Sequence, residues 1–134
     1  MIVVDTNLVV HLVLPGERSG PAEGVLLRDR EWAAPALLRS EFRNVLVGWM
    51  RRGAITFDAA CAAARNADFR VRGRVYSVPS PDVLELARGS RCTAYDCEFV
   101  ALARLLGVRL VTSDRQVLAA FPETAVSPEA FLAH

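Results

Sequence analysis

Short apolar runs alternate along the chain with segments whose apolar residues recur at helical spacing. The first run, residues 2–5, shows no polar alternation, which is typical of a parallel strand covered on both faces. The clearest helical pattern covers residues 36–52, where apolar side chains recur every three or four positions, and Gly53 suits the position just past its end. The alternation predicts an α/β fold, with a parallel sheet that has helices on both faces.

Turn and capping residues divide the rest of the chain. Pro15 ends the first helix, Thr56 and Thr93 suit N-cap positions, and Gly107 suits a helix stop. The predicted strands are residues 2–5, 32–34, 75–78, 109–112 and 124–126. The predicted helices are residues 6–14, 20–29, 36–52, 57–69, 81–88, 94–106 and 115–120. No repeat, low-complexity segment or long linker interrupts them, so residues 1–134 are predicted to form a single domain.

Two aspartates stand at the ends of predicted strands. Asp5 follows the apolar residues 2–4, and Asp114 follows the strand at 109–112. In open parallel sheets, ligand sites form outside the carboxyl ends of the strands. Each aspartate also precedes a predicted helix, so N-capping explains either one alone equally well.

Asp96 lies on the inward stripe of a predicted helix. It shares the i, i+3, i+4, i+7 spacing with Phe99, Val100 and Ala103, and it sits in the first turn, where the helix dipole favours negative charge. It also lies three residues after Thr93, a spacing that suits a capping box. A functional and a capping role therefore both remain open for this residue.

Glu41 is the acid that is hardest to explain as structure. Leu38 precedes it by three positions, so it lies beside the apolar stripe of its helix. Arg39 and Arg43 are two positions away and point to other faces, so no ion pair within the helix is predicted. Taken together with the other three acids, Glu41 favours a convergent acidic pocket.

Such a pocket requires a positive partner, because clustered carboxylates repel one another and are costly to bury. Mg²⁺ or Mn²⁺ is the predicted ion, since both prefer oxygen ligands and retain water. Zinc suits the chain less well, because its three Cys and two His residues lack the spacing of a zinc site.

Composition narrows the classes of function. The chain has 134 residues, 52% of them hydrophobic, and a net charge of +1, so no strong overall field attracts nucleic acid or a membrane. All 16 basic residues are Arg, which excludes lysine-dependent P-loop and Schiff-base mechanisms. The N-terminal segment does not resemble a signal peptide, and no stretch has the length of a membrane span. Cys61, Cys92 and Cys97 are therefore predicted to be reduced thiols in a cytoplasmic protein.

Four segments, in order, resemble the motifs of the PIN-domain family. Residues 2–7 resemble its opening, residues 38–46 its acidic helix, residues 93–103 its third acidic motif and residues 110–114 its fourth. The resemblance covers about residues 1–130, and this small form looks most like the VapC-type toxins of bacterial toxin–antitoxin systems. It implies a three-layer α/β/α sandwich with five parallel strands. It also implies Mg²⁺- or Mn²⁺-dependent endoribonuclease activity, homodimerisation and inhibition by a VapB-like antitoxin.

The resemblance also implies roles for individual residues. The implied catalytic and metal-binding residues are Asp5, Glu41, Asp96 and Asp114. The implied supporting residues are Thr6, Asn7 and Ser113, of which Thr6 and Ser113 are expected to position the carboxylates by hydrogen bonds. Some relatives have further acids where this chain has Glu98 and Gln116, and Glu98 is expected to face away from Asp96. Whether Glu41 binds metal directly or orients the attacking water stays open, as does a second ion.

Two other functions are compatible with these residues. One is a catalytically inactive PIN-like module that binds RNA or protein, and the other is a structure-specific DNA nuclease. Receiver and haloacid-dehalogenase-like domains also gather acids at strand ends, but the missing lysine argues against both. The arginines at positions 65, 70, 72 and 74 are candidate RNA phosphate contacts, although a solvated surface explains them equally well.

Overall fold

The computed structural model describes all 134 residues and confirms the α/β class with one sheet of five parallel strands. The strands are β1 (Ile2–Val4), β2 (Trp32–Pro35), β3 (Val75–Tyr76), β4 (Leu110–Val111) and β5 (Ala125–Val126). Their order in the sheet is β3-β2-β1-β4-β5. The chain therefore moves from β1 to one side and later returns to the other side, which creates a switch point between β1 and β4.

Eight helices connect and cover the strands. They are α1 (Thr6–Val13), α2 (Ser19–Arg28), α3 (Leu37–Arg51), α4 (Phe57–Arg70), α5 (Ser80–Arg88), α6 (Ala94–Leu106), α7 (Arg115–Ala120) and α8 (Pro128–Ala133). None of them combines the length and the apolar character needed to cross a membrane.

Local capping signals account for most of the helix boundaries. The Thr56 side chain accepts a hydrogen bond from the Ala59 amide at the start of α4, as predicted. Gly53 and Gly107 adopt positive φ angles of 71° and 68° just past α3 and α6, a conformation that favours glycine. The helix α8 was not predicted, although Ser127 caps it and Pro128 opens it, which is a recognisable signal for a helix start.

Burial on both faces of the central strands fixes the positions of their ends. Every residue of β1 and β2 is buried, and Trp32 is fully enclosed with its indole N–H donating to the Asp29 carbonyl. Four strands are shorter than predicted: β1 and β5 each lose one residue, and β3 and β4 each keep only two of four. The polar residues that follow β1 and β4 are thus anchored directly to the core.

Candidate active site

A single cavity of about 260 Å³ collects all four acids that the sequence singles out. Asp5 and Asp114 reach it from the carboxyl ends of the neighbouring strands β1 and β4, Glu41 from α3, and Asp96 from α6. The other polar residues of its lining are Thr6, Asn7, Asn44 and Thr112. The cavity lies at the switch point of the sheet, where parallel α/β folds place their ligand sites.

Asp5 is both a helix cap and part of the cavity wall. Its Oδ1 accepts a hydrogen bond from the Leu8 amide at 2.9 Å, which caps α1. Its Oδ2 accepts a hydrogen bond from the Thr112 hydroxyl at 2.5 Å. The capping and functional explanations of this residue are thus compatible, because the cap itself aims the carboxylate.

Asp114 and Asp96 combine the same two roles. Asp114 Oδ1 accepts from the Val117 amide at 3.0 Å and caps α7. Asp96 forms the predicted capping box, in which its amide donates to Thr93 Oγ1 at 3.0 Å and its Oδ2 accepts from the Thr93 amide at 3.4 Å. Each carboxylate uses one oxygen in the cap, and its second oxygen receives no hydrogen bond from the protein.

Glu41 is held by one contact between α1 and α3. The Thr6 hydroxyl donates to its Oε1 at 2.6 Å, which is the hydrogen bond expected of Thr6. Its Oε2 receives no hydrogen bond from the protein. Like Asp96 and Asp114, Glu41 therefore keeps one carboxylate oxygen without a hydrogen bond from the protein, while Thr6 fixes the direction of the carboxylate.

The hydrogen bond expected of Ser113 is not formed. Ser113 is absent from the cavity wall, and its hydroxyl lies 3.4 Å from Arg18 Nη2, which donates to it. The supporting residue is Thr112, which is 1% exposed, donates to Asp5 and accepts from the Asp114 amide at 3.0 Å. One side chain thus links two of the acids, and it was not predicted because a threonine in an apolar strand resembles an ordinary core residue.

Two asparagine residues complete the polar lining of the cavity. Asn7 lines the cavity as the resemblance implies, and Asn44, one helical turn beyond Glu41, lines it without having been predicted. Glu98 does not line the cavity. Burial, and secondarily the charge of Glu41, nevertheless raise the pKa of Glu98.

Burial has a large effect on the charge state of Asp5. Burial raises the pKa of Asp5 from 3.8 to about 6, and the nearby charges of Asp114 and Glu41 add to this effect. The hydrogen bonds from Thr112 and Leu8 act in the opposite direction but only partly offset it. The ionised Asp5 is therefore disfavoured in the folded protein until a positive charge is placed beside it.

A pH dependence of stability follows. Because the pKa of Asp5 is higher in the folded than in the unfolded chain, its contribution is fully favourable below pH 3.8 and is lost as the pH rises through about 6. We expect Asp5→Asn to remove this part of the pH dependence. Urea unfolding in EDTA at a series of pH values between these limits measures it. Identical pH profiles for the wild type and Asp5→Asn would contradict the assignment.

The donor atoms of the cavity suit a hydrated, hard divalent ion. No His or Cys lines it, so every available ligand atom is oxygen or amide nitrogen. No group of three or more Asp, Glu, His or Cys side chains is arranged to enclose an ion on its own. Mg²⁺ needs no such enclosure, because it is usually bound through one or two carboxylates and keeps several waters. The residues present therefore fit Mg²⁺ or Mn²⁺ and do not fit a structural zinc site.

Comparisons with known proteins agree with this architecture. The family model of the PIN domain matches residues 2–124. The curated protein Ribonuclease VapC3 of Pyrobaculum aerophilum is 33% identical over 124 residues, covering 90% of this chain and 95% of that protein.

Solved structures show the same fold. The crystal structure of PAE2754 from Pyrobaculum aerophilum superimposes with a TM-score of 0.77 at 24% identity, covering 98% of this chain and 86% of that one. A toxin–antitoxin complex from Klebsiella pneumoniae superimposes with a TM-score of 0.70 at 16% identity, covering 96% and 98%. With the family match, the fold and the acidic cavity in agreement, this chain belongs to the PIN-domain family.

Proposed function

We propose that the chain is a metal-dependent endoribonuclease that acts as the toxin of a VapBC-type toxin–antitoxin pair. The observation that carries the proposal is the convergence of four carboxylates on one cavity at the sheet's switch point. The name of the relative Ribonuclease VapC3 supports RNA as the substrate. Residues 1–134 act as a single domain in this proposal, and their proposed place is the cytoplasm, where RNA is available.

The four acids have different roles in the proposed hydrolysis of the phosphodiester bond. Asp5, Asp96 and Asp114 would hold Mg²⁺ or Mn²⁺ directly or through water, using oxygen lone pairs that their caps leave free. When bound, the ion activates a water and neutralises charge on the scissile phosphate. Glu41 completes the metal shell or orients the attacking water through its free Oε2.

The hydroxyl groups keep the carboxylates in place. Thr6 directs Glu41, and Thr112 fixes Asp5 and the start of the Asp114 turn. Metal-bound carboxylates commonly depend on such neighbours for their orientation. In this proposal both threonines are positioning residues, because neither touches the phosphate.

We expect RNA cleavage to require Mg²⁺ or Mn²⁺ and to stop when EDTA removes the ion. Matched single-stranded RNA and DNA substrates of the same sequence test both the metal requirement and the substrate class. Selective cleavage of RNA supports the proposal, while cleavage of DNA instead would favour the nuclease alternative. Calorimetric titration with Mn²⁺ separates the remaining alternative, because a catalytically inactive module would bind the ion weakly or not at all.

An apolar surface distinct from the acidic cavity is a candidate site for an antitoxin. An open apolar groove of about 780 Å³ runs between the ends of α1 and α3 and the face of α4, and it includes Val13, Leu14, Trp49, Ile55 and Ala63. The helices α1 and α3 also carry acidic-site residues at their other ends, so a segment seated in the groove can continue towards the cavity. We propose this groove as the antitoxin site of a homodimeric toxin. A neighbouring gene for a small protein with a DNA-binding N-terminal segment would identify the antitoxin.

A further inference from the structure

Several arginines lie beside an exposed aromatic ring outside the acidic cavity. We call this feature the arginine patch, and its residues are Arg30, Phe69, Arg70, Arg72 and Arg74. The guanidinium carbons of Arg70 and Arg72 lie 5.5 and 5.6 Å from the centroid of the Phe69 ring, which remains 58% exposed. Arg30, Arg70 and Arg74 line a cavity of about 210 Å³ beside the ring.

The positive charge of the patch is unpaired within the protein. None of its four arginines takes part in any of the five ion pairs of the chain. Two nearby acids are already engaged, since Asp29 pairs with the N-terminal amine and Asp68 with Arg39. The Nε of Arg70 is buried and donates to no protein atom. A buried donor without an acceptor is rare and unfavourable, so the protein leaves the Arg70 guanidinium incompletely satisfied.

We propose that the arginine patch binds single-stranded RNA, with phosphates on the guanidinium groups and a base stacked on Phe69. Arginine is suited to phosphate because its planar donors match the oxygens, and exposed aromatic rings stack bases of any sequence. A site for an isolated small anion would not need the exposed ring. This inference rests on the proposed function for its choice of RNA.

The patch and the active site lie at opposite ends of the sheet. Arg74 Nε donates to the carbonyl of Trp32, the first residue of β2, at 3.0 Å. Trp32 is in register with Ile2, so the patch lies about three residues, roughly 10 Å along the strand direction, behind Asp5. An RNA that contacts both sites must span at least this distance. A long RNA therefore gains from the patch, and a dinucleotide held at the acids does not.

Equilibrium binding in EDTA tests the patch without cleavage. Fluorescence anisotropy with a long single-stranded RNA of mixed sequence gives the Kd at several salt concentrations. Arg72 is exposed and Phe69 is a surface ring, so Arg72→Ala and Phe69→Ala leave the core intact. Matched controls are Arg51→Ala, an exposed arginine at the end of α3, and Phe57→Ala, an exposed ring at the other end of α4.

We expect Phe69→Ala to weaken binding roughly ten-fold. Arg72→Ala is expected to reduce the salt slope by about 0.7, the value of one phosphate contact on a single strand. The controls should bind like the wild type. Equal RNA affinities for the patch and control variants would overturn the inference. Patch variants that keep their RNA affinity and lose only the binding of an acidic protein would also overturn it. If the wild type cleaves no RNA with Mg²⁺ but these binding differences persist, the proposed ribonuclease function is wrong and the RNA-binding patch is still supported.

Discussion

Asp5→Asn is expected to abolish RNA cleavage while leaving the fold intact. Asn has nearly the shape of Asp and can still accept the Leu8 amide that caps α1, but it removes the negative charge at the centre of the cavity. In the proposed mechanism Asp5 would hold the activating ion, so the substitution should remove several kcal/mol of transition-state stabilisation, a rate loss on the order of 10³-fold. Asp96→Asn is expected to have the same effect. Initial rates on a defined RNA measure both.

Thermal unfolding distinguishes this loss of activity from damage to the fold. In EDTA near neutral pH, Asp5→Asn should be at least as stable as the wild type, because the raised pKa of Asp5 shows that its charge is unfavourable in the fold. Mg²⁺ should then raise the Tm of the wild type and have little effect on the variant. Asp58→Asn makes the same change at an exposed position in the first turn of α4 and should behave like the wild type. Full cleavage by Asp5→Asn would remove this residue from the proposed site.

The fold was predictable because its signals are local. The central strands are continuous apolar runs, and Thr56, Thr93 and the positive-φ glycines mark helix ends within a few residues of sequence.

Strand length was less predictable. Hydrogen bonding with neighbouring strands decides it, and residues 75–78 and 109–112 keep only two strand residues each.

The four acids were predictable for a related reason. Polar residues at strand ends and on inward helix faces conflict with their apolar surroundings, and that conflict is visible in the sequence. For Asp5, Asp96 and Asp114, helix capping and a place in the site are not alternatives. Each carboxylate caps a helix with one oxygen, and the cap orients the rest of the group towards the cavity.

The supporting residues were less predictable because their contacts are distant in sequence. Thr112 and Asp5 are 107 positions apart, and Thr6 and Glu41 are 35 apart. Only the pairing of β1 with β4 brings the first pair together. Ser113 was expected from the resemblance, but it lies beyond the end of β4 and its hydroxyl accepts from Arg18 instead.

Thr112→Val is expected to lower activity by roughly 10- to 100-fold, the usual effect of removing a residue that orients a metal-binding group. Valine keeps the shape of this buried side chain but removes the donor to Asp5 and the acceptor of the Asp114 amide. Stability should fall by about 1–3 kcal/mol, because two polar groups lose their partner. Cleavage rates and urea unfolding measure the two effects.

The pH profile of cleavage separates a positioning role of Thr112 from a purely structural one. The Thr112 hydrogen bond lowers the pKa of Asp5, so its loss should raise that pKa further and shift the rise of activity to higher pH. Thr112→Ser retains the hydroxyl and should restore the wild-type profile. Ser113→Ala removes the neighbouring hydroxyl, whose only partner is Arg18, and should leave rate and profile almost unchanged. If Ser113→Ala were as damaging as Thr112→Val, the adjacent serine rather than the buried threonine would be the residue that positions the acids.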